Sequence, residues 1–269
     1  MSATARFPER FNMADYFLYE RVNADGLGEK TAVLYGERTY SYSDVVQRSY
    51  AVAHALRACG VRQEERVYIV LPDTPPFAWS FFGALTMGGV VAMGNPVAGA
   101  ESLAYVLDYS RATALITTPE VVNALAGQIQ NSEHLRTVLV VPNVATGEDP
   151  EQEVPSHPAW AEWTPKVQSL TSAIREQSST PISDEPLTRR DDLAVWLFTS
   201  GSTGRPKAAM HTHRDFAFNT EVYAKGTVQY ARDDVTVSVP RLFFGYATGT
   251  NLMFPFAVGA TTGLFCERP

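Results

Sequence analysis

The 269-residue chain is 45% hydrophobic and 19% charged, and 22 basic against 29 acidic side chains leave a formal charge of −7. This is a globular composition with ample core material, and its four lysines (Lys30, Lys166, Lys207, Lys225) make no basic stripe for a nucleic-acid backbone or an anionic membrane. Cys59 and Cys266 are too few and too far apart for a disulfide framework or a thiolate metal site. No apolar segment opens the chain, and the most apolar window, Phe81 to Gly94, is short and broken by glycines, so neither secretion nor membrane spanning is indicated and a reducing cytoplasm is the simplest compartment.

The first predicted element is a hairpin: Thr31 to Tyr35, a Gly36-Glu37 turn, and Arg38 to Tyr40. Ser41 followed by Asp44 has capping-box spacing, and Val45, Ser49, Val52 and Leu56 keep helical period until Gly60 stops the helix. A strand at Val67 to Leu71 then leads to a helix opened by Pro75-Pro76 and closed at Gly88-Gly89. Strands at Val90 to Met93 and Ala114 to Thr117 precede helices from about Glu101 and from Pro119, and Val138 to Val141 is another buried run. Strands alternating with helices predict right-handed βαβ units, hence an α/β fold of mostly parallel sheets flanked by helices. Residues 143–165, acidic and proline-containing, read as a surface excursion. An amphipathic helix is predicted over about Lys166 to Gln177, and the alternation resumes with a strand at Leu193 to Phe198. The chain divides into residues 1–190, a first α/β subdomain, and residues 191–269, which carry most of the chemistry.

That chemistry is densest at Thr199-Ser200-Gly201-Ser202-Thr203-Gly204-Arg205-Pro206-Lys207. Glycines let a backbone approach an anion, successive N–H groups form an anion nest, hydroxyls add donors, and Lys207 adds a full positive charge. The loop is not a Walker A sequence, because Pro206 precedes the lysine and Ala208 follows it. On chemistry alone it is a phosphate-cradling loop, with a flexible polar turn as the alternative. His211-x-His213 has same-face strand spacing but no acidic or cysteine partner nearby in sequence, and reads as a strand-to-helix turn; no metal ligand is assigned. Asp191-Asp192 reads as a turn, His54 as structural, and Cys59 (at a helix end) and Cys266 (in an apolar strand) as buried thiols.

The run Thr199 to Lys207, following Asp191-Asp192-Leu193-Ala194-Val195-Trp196-Leu197-Phe198, resembles the phosphate-loop signature of the acyl-adenylate-forming superfamily. The resemblance extends over essentially the whole chain. Phe11 to Phe17, the Gly-Glu-Arg-Thr-Tyr-Ser-Tyr hairpin, Phe81 to Leu85 and Arg241 to Tyr246 look most like its benzoate-CoA ligase branch. It implies a two-step reaction: an aromatic carboxylate attacks the α-phosphate of ATP, with Mg²⁺, to give an acyl-adenylate and pyrophosphate, and coenzyme A then displaces AMP to give a thioester. Thr199, Ser200, Gly201, Ser202, Thr203 and Gly204 would hold the β- and γ-phosphates and Lys207 would pair with them as the catalytic cation. Ala208, where the family usually has Gly, is a small-for-small departure. Phe244 would stand at the position of an aromatic or histidine gate, with Gly245, Tyr246 and Ala247 lining the acyl pocket; core packing is the alternative for this cluster.

The family's later motifs, for adenine, ribose, the hinge and the mobile C-terminal lysine, have no counterpart here, so the chain reads as a truncated N-terminal AMP-binding domain, inactive by itself. The alternatives are another acyl-CoA ligase or adenylation enzyme of the superfamily, or a genuinely short, non-catalytic protein that binds phosphate or aromatic acids or pairs through an open sheet edge. A homodimer is compatible with each.

Overall fold

The computed structural model describes residues 7–200 and 205–267. A short π-helical turn, Asp15–Tyr19, runs into α1 (Glu20–Asn23) and then the hairpin β1 (Thr31–Tyr35) and β2 (Arg38–Ser41). Helix α2 (Tyr42–Ala58) follows at once, started by the capping box read from sequence: the Asp44 N–H donates to Ser41 Oγ (3.1 Å) and the Ser41 N–H to Asp44 Oδ2 (2.9 Å).

The alternating stretch comprises β3 (Arg66–Val70), α3 (Pro75–Thr86), β4 (Val90–Met93), α4 (Ala100–Ser110), β5 (Ala114–Thr117), α5 (Pro119–Ala124), α6 (Ala126–Ile129) and β6 (Thr137–Val140). Next come β7 (Lys166–Ser169), α7 (Leu170–Arg175), and the hairpin β8 (Leu193–Ser200) and β9 (Pro206–Thr212). The described chain finishes with α8 (His213–Asn219), a π-helical stretch Thr220–Val228, β10 (Val235–Val237), α9 (Gly245–Thr248), a π-helical turn Gly249–Met253, α10 (Phe254–Val258) and β11 (Thr261–Leu264).

Two sheets result. The larger has the order β7-β6-β5-β3-β4-β8-β9, parallel throughout except for the antiparallel β8–β9 pair. It separates two cores by the two-residue period of its strands: Val67 and Ile69 of β3 face α2 and α3, whereas Tyr68 and Val70 face α4, α5 and α6. Burial on both faces is why β4, β5 and β6 read as unbroken apolar runs. The smaller sheet, β10-β11-β1-β2, joins the amino-terminal hairpin to the last strand, with β1 parallel to β11 (Val33 opposite Thr262). Helix α3 is buried from Pro75 to Leu85 and packs on α2 at a glycine contact: a methyl added at Gly83 would stand 2.7 Å from the Ser49 carbonyl oxygen.

Three sequence expectations need correction. The segment predicted as one helix over Lys166 to Gln177 is instead strand β7, pairing with the free edge of β6, followed by the short helix α7. Four residues of the amphipathic pattern fit either period, and the unpaired edge of β6 decides. The excursion 143–165 runs mostly over the surface as expected, with Trp160 reaching the core beneath α5 and α6 and Arg48 tying the segment down through Glu151 (2.7 and 2.9 Å). The alternation expected to resume at Leu193 to Phe198 is interrupted, because after β8 the chain turns back as antiparallel β9 before reaching α8. Cys266 lies beyond β11, and both cysteines are only half-buried.

Candidate active site

Strands β3, β4 and β8 run parallel, so their carboxyl ends share one end of the larger sheet. The order β4-β3-β5-β6-β7 reverses direction between β3 and β5, and in open α/β sheets ligands bind outside the carboxyl ends near such a reversal. The chemistry-bearing segments converge on this end.

The β8–β9 register sets Thr199 directly opposite Lys207 and Ser200 opposite Pro206. Opposed residues share a face, so Thr199 and Lys207 stand side by side, both exposed, on the face that also carries Leu197. Gly201, Ser202, Thr203 and Gly204, the tip expected to cradle phosphates, lie outside the described residues, as does the side chain of Ser200. Arg205 resumes the chain with its guanidinium 5.4 Å from the Tyr105 ring centre.

On the Leu197 face lies the aromatic segment. Gly245 opens α9 against β8, where a Cβ would meet Leu197 Cδ1 at 2.4 Å. Thr248 closes that turn, its hydroxyl 2.5 Å from the Leu242 carbonyl and 2.9 Å from that of Phe244, and 4.0 Å from Met93 Sδ at the end of β4. Phe243 and Phe244 pack with ring centres 4.3 Å apart. Core packing accounts for Ala247, which is buried, and for Phe243, which packs against the core, but not for Phe244 (50% exposed) or Tyr246 (68%). Phe244, Gly245, Tyr246 and Ala247 are thus brought to the sheet end beside the hairpin that carries Lys207.

Sequence reasoning missed Asp73, three residues beyond β3. Its carboxylate is 2% exposed, accepts the Leu242 N–H through Oδ1 (3.0 Å), and has Oδ2 3.8 Å from Arg241 Nη1. Burial raises its pKa to about 6, against the opposing hydrogen bond and the Arg241 charge. The Leu-Pro-Asp-Thr-Pro-Pro context carried only a turn signal, and the partners lie 169 residues away.

The two histidines separate. His211 pairs with Val195 in the hairpin and, contrary to the expectation of no acidic partner nearby in sequence, stands 3.7 Å from Asp215, while His213 begins α8, fully buried, with Nδ1 accepting the Met13 N–H (3.1 Å). Burial lowers the His213 pKa to about 4, partly offset by Asp192, so the ring is neutral and its Nδ1 is already engaged. The strand-to-helix turn is as expected: the Thr212 N–H donates to Asp215 Oδ2 (2.7 Å).

A parallel α/β sheet, a hydroxyl- and glycine-rich hairpin closing on a lysine, and an aromatic turn across the same strand ends define the class. The chain belongs to the AMP-binding enzyme family, which matches residues 20–269. Among its relatives, the benzoate-CoA ligase of Thauera aromatica is 34% identical over 98% of this chain and 46% of the relative, and the 4-hydroxybenzoate-CoA/benzoate-CoA ligase of Rhodopseudomonas palustris is 31% identical over 96% and 44%. Two solved structures agree in fold: the anthranilate CoA ligase AuaEII in complex with anthranoyl-AMP (TM-score 0.84, 26% identity, covering 97% of this chain and 46% of that one), and a benzoate CoA ligase from Burkholderia xenovorans LB400 (TM-score 0.77, 29%, 96% and 46%). The chain therefore spans about half the length of the relatives it matches.

Proposed function

We propose that this chain supplies the phosphate loop and part of the acyl pocket of an ATP-dependent aryl-CoA ligase, the complete polypeptide being about twice as long, like its relatives. The observation that carries this reading is the convergence of Thr199 and Lys207, opposed in the β8–β9 pair, and the turn bearing the exposed Phe244 and Tyr246 on one face at one sheet end. In the first step the substrate carboxylate attacks the α-phosphate and pyrophosphate leaves; in the second the coenzyme A thiolate attacks the acyl carbon and AMP leaves. Lys207 and the 199–204 loop would hold the β- and γ-phosphates, so that charge developing on the leaving pyrophosphate meets a preorganised cation and donors. Mg²⁺, implied by likeness to the family, would arrive with ATP; among the described residues no group of three or more His, Cys, Asp or Glu is placed to hold a metal ion.

Flat aromatic faces beside glycine suit an aryl acid better than a long aliphatic chain, and Phe244 and Tyr246 are the proposed ring contacts. Likeness to the benzoate and anthranilate ligases supports the same choice. The test is carboxylate-dependent ATP–pyrophosphate exchange by the complete protein across benzoate, hydroxybenzoates, aminobenzoates and a medium-chain fatty acid. Preference for the fatty acid would overturn the aryl assignment, and exchange with none of these acids would overturn the ligase reading. The same assay on the 269-residue chain is expected to give no exchange.

A further inference from the structure

The aromatic turn has few backbone ties of its own: α9 is four residues long, and Arg241 to Phe244 precede it in irregular structure. What holds that approach is a buried carboxylate 169 residues earlier in the sequence. Asp73 hangs from the carboxyl end of β3, is almost wholly shielded from water, and offers one oxygen to the Leu242 N–H and the other to the Arg241 guanidinium. Arg241 is itself fixed, donating to the carbonyls of Phe265 (2.5 Å) and Glu267 and lying 4.9 Å over the Phe265 ring. Leu242 is fully buried, and its carbonyl takes the Thr248 hydroxyl that closes α9. A continuous chain of contacts therefore runs from the β3 end through Asp73 and Leu242 to Thr248, with Phe244 and Tyr246 carried between the last two.

We infer that Asp73 is a positioning residue for the acyl pocket: it sets where Phe244 and Tyr246 stand by gripping Leu242 and Arg241, and so governs affinity for the carboxylate substrate without touching it. This rests on the ligase reading given above. A purely structural carboxylate would be cheaper as an amide or an apolar side chain, because an ionised group in this setting is poorly solvated. Here both oxygens are used at once, one as acceptor for the Leu242 N–H and one as counter-charge to Arg241. Among the described residues, Arg241 is the charged group that faces it.

The experiment compares Asp73→Ala and Asp73→Asn with the wild type in the complete ligase. Asp73→Ala removes both contacts and is expected to raise KM for the aryl carboxylate by about tenfold, the worth of one charge-assisted hydrogen bond, with KM for ATP within about twofold. Asp73→Asn keeps an acceptor for the Leu242 N–H and should recover most of that loss at pH 8. As pH falls through about 6 the wild-type carboxyl gains its proton. Its carboxylate KM should then rise to the Asp73→Asn value, while the Asn variant shows no such step.

An unchanged carboxylate KM in Asp73→Ala, or equal rises for carboxylate and ATP, would overturn the inference. Should Asp73→Ala not fold, the pH comparison with Asp73→Asn decides, and parallel profiles would overturn it. Hydrogen exchange of the peptide covering residues 241–248 separates this inference from the ligase reading. Exchange at least about tenfold faster in Asp73→Ala, with β5 and β6 unchanged, supports the grip even if the wild type activates no aryl acid; unchanged exchange rejects it whatever the activity.

Discussion

Lys207 faces Thr199 across a two-stranded ribbon rather than standing at the mouth of a helix, so its charge is held by strand register. If it stabilises the departing pyrophosphate, Lys207→Ala in the complete ligase should cost about 10²–10³ in the rate of adenylate formation, measured by pyrophosphate exchange, with little change in melting temperature because the side chain is exposed. An unchanged rate would remove the role. His213 is the opposite case, a group whose importance is to folding. Its pKa near 4 lies below the ordinary 6.5, so the unfolded chain takes the proton first: stability is complete above pH 6.5 and is lost as pH falls toward 4, by about 3 kcal/mol in all. In His213→Asn, whose Oδ1 can accept the Met13 N–H, that loss should be absent, so the difference in unfolding free energy between the two proteins should change between pH 6.5 and 4. Asp73 carries the reverse sign. Its folded pKa of about 6 lies above the ordinary 3.8, so the ionised form weighs against folding by about 3 kcal/mol above pH 6, and this cost vanishes below 3.8. Asp73→Asn should therefore melt higher than wild type at pH 8 and not at pH 3.5; a lower melting point at pH 8 would show that the Arg241 contact outweighs the burial.

At the scale of elements, α2 and α3 meet where Gly83 removes a side chain from the contact. A methyl there would stand 2.7 Å from the Ser49 carbonyl oxygen and 2.7 Å from Val52 Cβ, both anchored in α2, so neither can swing aside as a flexible side-chain end could. Gly83→Ala is expected to destabilise by about 1–3 kcal/mol despite its better helix propensity, as read from denaturant midpoints. The elements legible in sequence were those with a local cause: the Ser41–Asp44 capping box, the Pro75-Pro76 helix start, and the apolar strands β3 to β6. Strand β7 was not legible, because Lys166–Ser169 becomes a strand only through β6, some 30 residues earlier. The aromatic turn was legible as composition, but its exposure was not, since Phe and Tyr beside Gly read equally well as core.

At the scale of the whole molecule, the smaller sheet ties the beginning of the described chain to its end. The Tyr42 hydroxyl, at the first residue of α2, donates 2.6 Å to the Ala260 carbonyl just before β11, in a fully buried setting 218 residues apart in sequence. Tyr42→Phe leaves that carbonyl without its partner and should cost about 1–3 kcal/mol, with both sheets losing structure in one transition by near- and far-ultraviolet circular dichroism. Separate transitions would show that the sheets unfold independently. No helix among the described residues is long and apolar enough to cross a membrane.

The sequence alone determined what short-range chemistry can determine: an α/β alternation, the caps and turns that bound its helices, a net negative charge, and a hydroxyl- and glycine-rich loop ending in one of only four lysines. Strand order, the antiparallel return of β9, the placement of α9 across the ends of β3, β4 and β8, and the grip of Asp73 on Leu242 were decided by tertiary structure. The division has a physical reason. Caps, turns and periodicity act over a few residues and leave marks where they act, whereas a sheet edge or a buried carboxylate is satisfied by whichever distant segment reaches it, and no local pattern in either partner names the other.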